Sequence, residues 1–240
     1  MWSIPLLLLL LPCTCGLSVK ENLSRRNTIS FLTASGLTFS TQQASNAFEN
    51  KISNKYDDKP KVRGPQPKDN GIRDRFSISL ESERTDYVGL KGCGAAPNCF
   101  SSGIPLNDDA EHSIPAFEWP SSMNQAEAME SLRSAVMKYP PGQQGVDGGG
   151  FDIKQYDPKS GYMYVQFEAL KRGYIDDVEF AVLGGDRTVQ VRSSSRIGYL
   201  DLGVNGKRLN CLAKILRDNG WKAEGVDYET HPGYKLENGF

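Results

Sequence analysis

The feature that most constrains this chain is a set of four short stretches between residues 151 and 194 that read as strands. In 151–156 and 162–169 apolar and polar residues alternate around Asp157-Pro158-Lys159-Ser160-Gly161, a turn-forming set. Period-two alternation gives a strand one core face and one polar face, so this pair predicts an antiparallel hairpin. Two more strands are expected at 177–183 and 188–194, joined through Gly185-Asp186, which suits a two-residue turn. That turn sets a register: Val182 opposite Val189, Phe180 opposite Val191, Glu179 opposite Arg192. The apolar residues then share one face, and the Glu179–Arg192 pair on the other contributes roughly 0.2 to 1 kcal/mol.

Helical patterns flank these strands. Ser122-Met123-Asn124-Gln125 reads as a capping box, and Ala126, Met129, Leu132, Ala135 and Val136 recur at helical spacing until Pro140-Pro141-Gly142. A helix over 122–139 is predicted. Downstream, Asn205 is the expected N-cap of a helix carrying Leu209, Leu212, Ala213, Ile215 and Leu216, with Gly220 as its stop. The order helix, four strands, helix predicts an α+β fold: a four-stranded antiparallel sheet with a helix before it and a helix after it.

The N-terminal part reads as an address. Residues 1–16 hold an apolar run from Ile4 to Leu11, then Pro12 and small or polar residues, which is the layout of a signal peptide. The run is well short of the roughly 20 residues a membrane-spanning helix needs. In 17–47, Arg25-Arg26 precedes a weakly apolar span closing on Ala44-Ser45-Asn46-Ala47, which resembles a plastid transit stretch followed by a twin-arginine signal cut at Ala47. Two export signals in series predict the plastid thylakoid lumen, with ordinary secretion as the alternative. Residues 48–90 carry few apolar groups to offset ordering entropy and are expected to be a disordered linker, leaving 91–235 as the folded domain. No later apolar span is long enough for a membrane. A net charge of -1 at pH 7, with no basic run interleaved with aromatics, argues against a nucleic-acid partner.

Candidate chemistry is sparse. Cys93 and Cys99 bracket a flexible loop whose closure by a disulfide would add about 2 kcal/mol, and Cys211 reads as a buried small hydrophobe. Only His112 and His231 are present and no CxxC pair occurs, so neither a metal nor a cofactor is expected. The densest polar set is Asp176, Asp177, Glu179, Arg192, Ser193, Ser194, Ser195, Arg196, Asp201 and Asn205. No histidine adjoins the serines as a base, and Arg192 and Arg196 would hold the carboxylates ionised. A structural ion-pair network therefore ranks first, a ligand or partner site second and catalysis last. Gly145–Gly150 reads as a flexible loop rather than a phosphate cradle. Residues 108–112 (DDAEH) read as a solvated loop, and Trp119, Tyr156, Tyr162 and Tyr164 as sheet core.

Residues 93–102 (CGAAPNCFSS), 173–180 (GYIDDVEF) and 191–205 (VRSSSRIGYLDLGVN) together resemble the family catalogued as domain of unknown function 1499. The resemblance covers about 92–219. It implies no established activity, and members occur in bacteria and in photosynthetic eukaryotes, which suits a plastid address. The family's usual basic pair after the motif's Asn stands here as Gly206-Lys207-Arg208. Two functions follow: a non-enzymatic lumenal accessory protein docking on a thylakoid membrane protein complex, or a small-molecule enzyme or carrier using the Asp/Glu/Arg cluster.

Overall fold

The computed structural model describes residues 48–78, 82–104 and 108–240. The expected leader, with Cys13, Cys15, Arg25, Arg26 and Ala47, lies outside the described residues.

The chain builds an α+β fold around an antiparallel sheet. Strands β1 (Arg73–Ile78) and β2 (Arg84–Gly89) form a separate hairpin. Then follow β3 (Cys99–Ser101), β4 (Phe117–Glu118), helix α1 (Gln125–Met137), β5 (Gly150–Asp157), β6 (Tyr162–Glu168), β7 (Ile175–Val182), β8 (Thr188–Ser195), α2 (Val204–Arg217) and α3 (Pro232–Asn238). The main sheet has six strands in the order β3-β8-β7-β6-β5, with β4 also pairing β8. The expected four strands are β5 to β8, with β5 at one edge and the two short strands added on β8. The two short ones went unseen because three and two residues carry no periodicity.

The predicted register of β7 and β8 is the observed one: Glu179 pairs Arg192, Phe180 pairs Val191 and Val182 pairs Val189. Val178, Phe180, Val189 and Val191 join Met163, Val165 and Phe167 of β6 on one face, and there they pack on α1 and α2 through Met129, Leu132, Leu209 and Leu212. That layer is the core. Helix α1 is capped by Asn124, which accepts from the Glu127 amide while Glu127 reaches back to the Asn124 amide. The box is thus Asn124/Glu127 rather than one starting at Ser122, because the chain turns at Pro120–Met123 first.

Asn205 is not the cap of α2. Gly203 is, at φ 78, while the side chain of Asp201 accepts from the amides of Gly203 and Asn205. The carboxylate one turn upstream satisfies the free helix donors and releases the Asn205 side chain for other contacts.

The second departure is larger. Residues 48–72, expected to be a disordered linker, lie along the polar face of the sheet. Val62 N–H donates to the Arg172 carbonyl and Ile52 N–H to the Gly148 carbonyl. Asn50 Oδ1 accepts from Phe151 N–H at 2.8 Å, capping the open edge of β5. The strand β5 begins at Gly150, φ 89, where a Cβ would stand 2.2 Å from that same Asn50 Oδ1. The folded body accordingly starts before residue 91, and it runs past 235 to Asn238, which is buried and bonds the Pro97 carbonyl. Cys93 and Cys99 form the expected disulfide, and Cys211 is a half-buried free thiol. Among the described residues, no helix is long and apolar enough to cross a membrane.

Candidate functional site

Strand alternation divides the candidate residues between the two faces of the sheet. Asp176, Ser193 and Ser195 point toward the helices, whereas Asp177, Glu179, Arg192 and Arg196 point the other way, under residues 61–75. What reads in sequence as one polar set is two networks with a β-sheet between them.

The helix-side network centres on Arg208, fully buried in the first half of α2. Its Nε and Nη2 donate to Asp147, Nη2 also to Asp176 at 2.6 Å, and Nη1 to Ser193 Oγ at 3.1 Å and Asn205 Oδ1 at 2.8 Å. These five bonds engage all three guanidinium nitrogens, and the plane lies 4.8 Å from the Phe167 ring centre. Asp147 also accepts from the Tyr139 hydroxyl. Burial pushes its carboxyl upward, Arg208 pulls it down, and the neighbouring Asp176 charge adds to the rise. Asn205 Nδ2 donates to the Asn98 carbonyl, Ser195 Oγ and Asp201 Oδ2. Asp201 accepts from the Tyr234 hydroxyl of α3 as well. Burial raises the Asp201 carboxyl while the Asn205 amides oppose the rise.

The outer network is a row of carboxylates with partners drawn from two directions. Arg196 clamps Asp177 with two bonds of 2.8 Å and donates to Tyr164 Oη. Tyr164 donates to Asp177, and burial pushes its phenol up to about 12. Glu179 Oε1 accepts from Tyr162 at 2.7 Å and from the Gly71 amide at 2.6 Å. Glu168, fully buried, takes Nε and Nη2 of Arg63. Glu179 and Arg192 face each other as the register requires, yet their closest approach is 3.8 Å, and Glu179 Oε2 and Arg192 Nε have no hydrogen-bond partner. Burial lowers the Arg192 pKa from the ordinary arginine value.

The arrangement holds charge in place. Ser193 donates to Asn205 at 2.6 Å and bonds no base. His231 lies with its ring nitrogens against the carbonyls of Asp227 and Ser113, and His112 against Asp109. Each carboxylate of the set is held by donors of its own chain. Among the described residues, no three His, Cys, Asp or Glu gather as a metal-ligand set.

Sequence reasoning missed Asp147, Arg208, Tyr139, Asn98, Tyr234, Arg63 and Glu168. Asp147 sat in the supposed flexible loop, which instead is buried from Val146 to Gly150. Arg208 carried a signal: it lies between Asn205 and Leu212 on the buried stripe of α2, where a charged residue requires partners. Tyr162 and Tyr164 are buried as expected, but their hydroxyls serve the carboxylate row; Trp119 lies in the core and Tyr156 packs at its edge.

The chain matches no curated protein and no solved structure. Residues 89–216, more than half of the 240, match the model of the family described as "Protein of unknown function (DUF1499)", and the chain belongs to that family.

Proposed function

We propose that this protein is a non-enzymatic accessory module of the thylakoid lumen that works by docking at a photosynthetic membrane complex. The observation that carries the reading is the internal satisfaction of the two arginines Arg208 and Arg196 and of the carboxylates they hold. Arg208 spends its guanidinium on Asp147, Asp176, Ser193 and Asn205, and Arg196 spends its own on Asp177 and Tyr164. Residues bound in this way build a rigid body. They offer a substrate no free nucleophile and no carboxylate beside a histidine base. The two export signals read in residues 1–47 supply the address. An enzyme or small-molecule carrier would draw on the same Asp/Glu/Arg cluster, in which the carboxylates are held by donors of the chain and Glu179 Oε2 and Arg192 Nε are left without a hydrogen bond.

The test is native gel electrophoresis of isolated thylakoids, with detection of this chain. Comigration with a membrane complex is the expected outcome, and migration solely as a free monomer opposes the reading.

A further inference from the structure

We propose that the Cys93–Cys99 disulfide is a redox modification site: a dithiol reductant opens it at Cys93, and opening loosens the hold of the 94–98 loop on β8, α2 and α3. The two sulfurs stand in unlike surroundings. Cys99, 2% exposed, lies in β3 opposite Ser194. Cys93 is half-buried and lines a cleft of about 620 Å³ between the β1–β2 hairpin and the disulfide loop. Gly94 and Ala95, both exposed, follow it along the cleft wall, and a Cβ built on Gly94 would meet nothing within 4 Å. An incoming sulfur therefore finds room at Cys93 and little at Cys99.

A second, independent observation is what the closed loop holds. It ends on Asn98, whose carbonyl accepts from the Ser195 amide at 3.0 Å and from Asn205 Nδ2 at 2.9 Å, while its own Nδ2 donates to the Gly198 carbonyl at 2.6 Å. Beside it, the Pro97 carbonyl accepts from Asn238 Nδ2 of α3 at 3.3 Å. Two adjacent residues thus join the end of β8, the 196–203 loop, the first turn of α2 and α3. Upstream the chain is fixed as well: Leu90 is buried with its amide on Gln190 Oε1, and the Lys91 carbonyl accepts from Ser101 Oγ. The disulfide is the covalent brace between these two anchored stretches. Its ring is short, so closing it removes little chain entropy, and neither cysteine belongs to the two apolar core clusters. A brace that shapes one loop and not the core can open without unfolding the domain. His112 bonds the Ala96 carbonyl and Asp109 from the cleft side, contacts that involve neither sulfur, so the opened loop stays near and can close again.

The exchange needs no group beyond the two cysteines and the reductant. A thiolate of the dithiol bonds Cys93 Sγ as the bond to Cys99 breaks, and the Cys99 sulfur leaves with the electron pair and takes up a proton. The second thiolate of the reductant then attacks its own sulfur in the mixed disulfide and releases Cys93 in the same way. Two electrons and two protons pass to the protein, and the reductant departs as a disulfide. Cys211 is a bystander: it is half-buried on α2, and burial pushes its thiol up, which leaves little thiolate to enter the exchange. The proposal stands whether or not the protein docks at a membrane complex.

Dithiothreitol added to the natively processed protein, followed by iodoacetamide and peptide mass mapping, tests the site. Two new thiols are expected, at Cys93 and Cys99, while the near-ultraviolet circular dichroism spectrum persists. Cys93 should be alkylated about tenfold faster than Cys99, as its exposure requires. Hydrogen exchange of the Ser195 amide should rise about tenfold or more on reduction, because the Asn98 carbonyl that accepts it is loosened, and amides of β6 and β7 should keep their rates. The pair Cys93→Ser with Cys99→Ser should show the faster Ser195 exchange without reductant and no response to it. Should that variant not fold, the oxidised and reduced wild-type protein still decide the matter. A disulfide that yields to dithiothreitol only as the protein melts, global unfolding on reduction, or Ser195 exchange equal in both states overturns the proposal.

Discussion

Arg208 shows at the scale of one residue how the motif works. It sits in a fully buried position and answers two carboxylates, Asp147 and Asp176, so removing it strands negative charge in the core. Arg208→Met is expected to lower unfolding stability by about 3 to 5 kcal/mol, read from urea denaturation. Combining it with Asp147→Asn should recover part of that loss, because the stranded carboxylate is then gone; a further additive loss would show that Asp147 and Arg208 do not act as a pair. In sequence, the composition of this site was legible and its connections were not. Asp176, Ser193, Asp201 and Asn205 stood out by density, but Asp147 lies 61 residues from Arg208. Only folding brings the loop before β5 against α2.

Among the elements, the 61–72 segment overturns the reading from composition. It has few apolar groups, so an entropy argument called it disordered. What orders it is a polar complement: Arg63 on buried Glu168, Lys61 on the Leu170 carbonyl and the Gly71 amide on Glu179. Apolar poverty is a poor guide where the receiving surface is itself a row of carboxylates. Hydrogen exchange should accordingly find the amides of Ile52, Val62 and Gly71 protected, and exchange at random-coil rates would contradict the packing. Arg63→Ala should lower stability by about 1 to 3 kcal/mol, the cost of leaving an acceptor on Glu168 buried without its donor. The strands fared differently. Register across β7 and β8 was readable residue by residue, since a turn and a period of two leave only one alignment that puts all apolar groups together.

For the whole molecule, the family-matched stretch is smaller than the folding unit. The core draws on Trp221, Ala223, Val226 and Tyr234, all beyond residue 216, and Tyr234 meets Phe100 edge-on with ring centres 4.6 Å apart. The polar face of the sheet is covered by residues before 89. Expression of 89–216 alone is therefore expected to give a chain without cooperative thermal unfolding or a near-ultraviolet circular dichroism signal, whereas 48–240 should show both. A well-folded 89–216 would mean that the flanks decorate the core without completing it. By itself the sequence determined the class, four strands of the sheet with the register of β7 on β8, the flanking helices and the candidate Cys93–Cys99 link, because each follows from local periodicity, a turn or a short spacing. Only the tertiary structure decided which polar residues meet, that one motif serves two faces of a sheet, and that the supposed linker is a cover. Those outcomes depend on contacts between residues far apart in the chain, and charge complementarity across such distances leaves no periodic trace in the sequence.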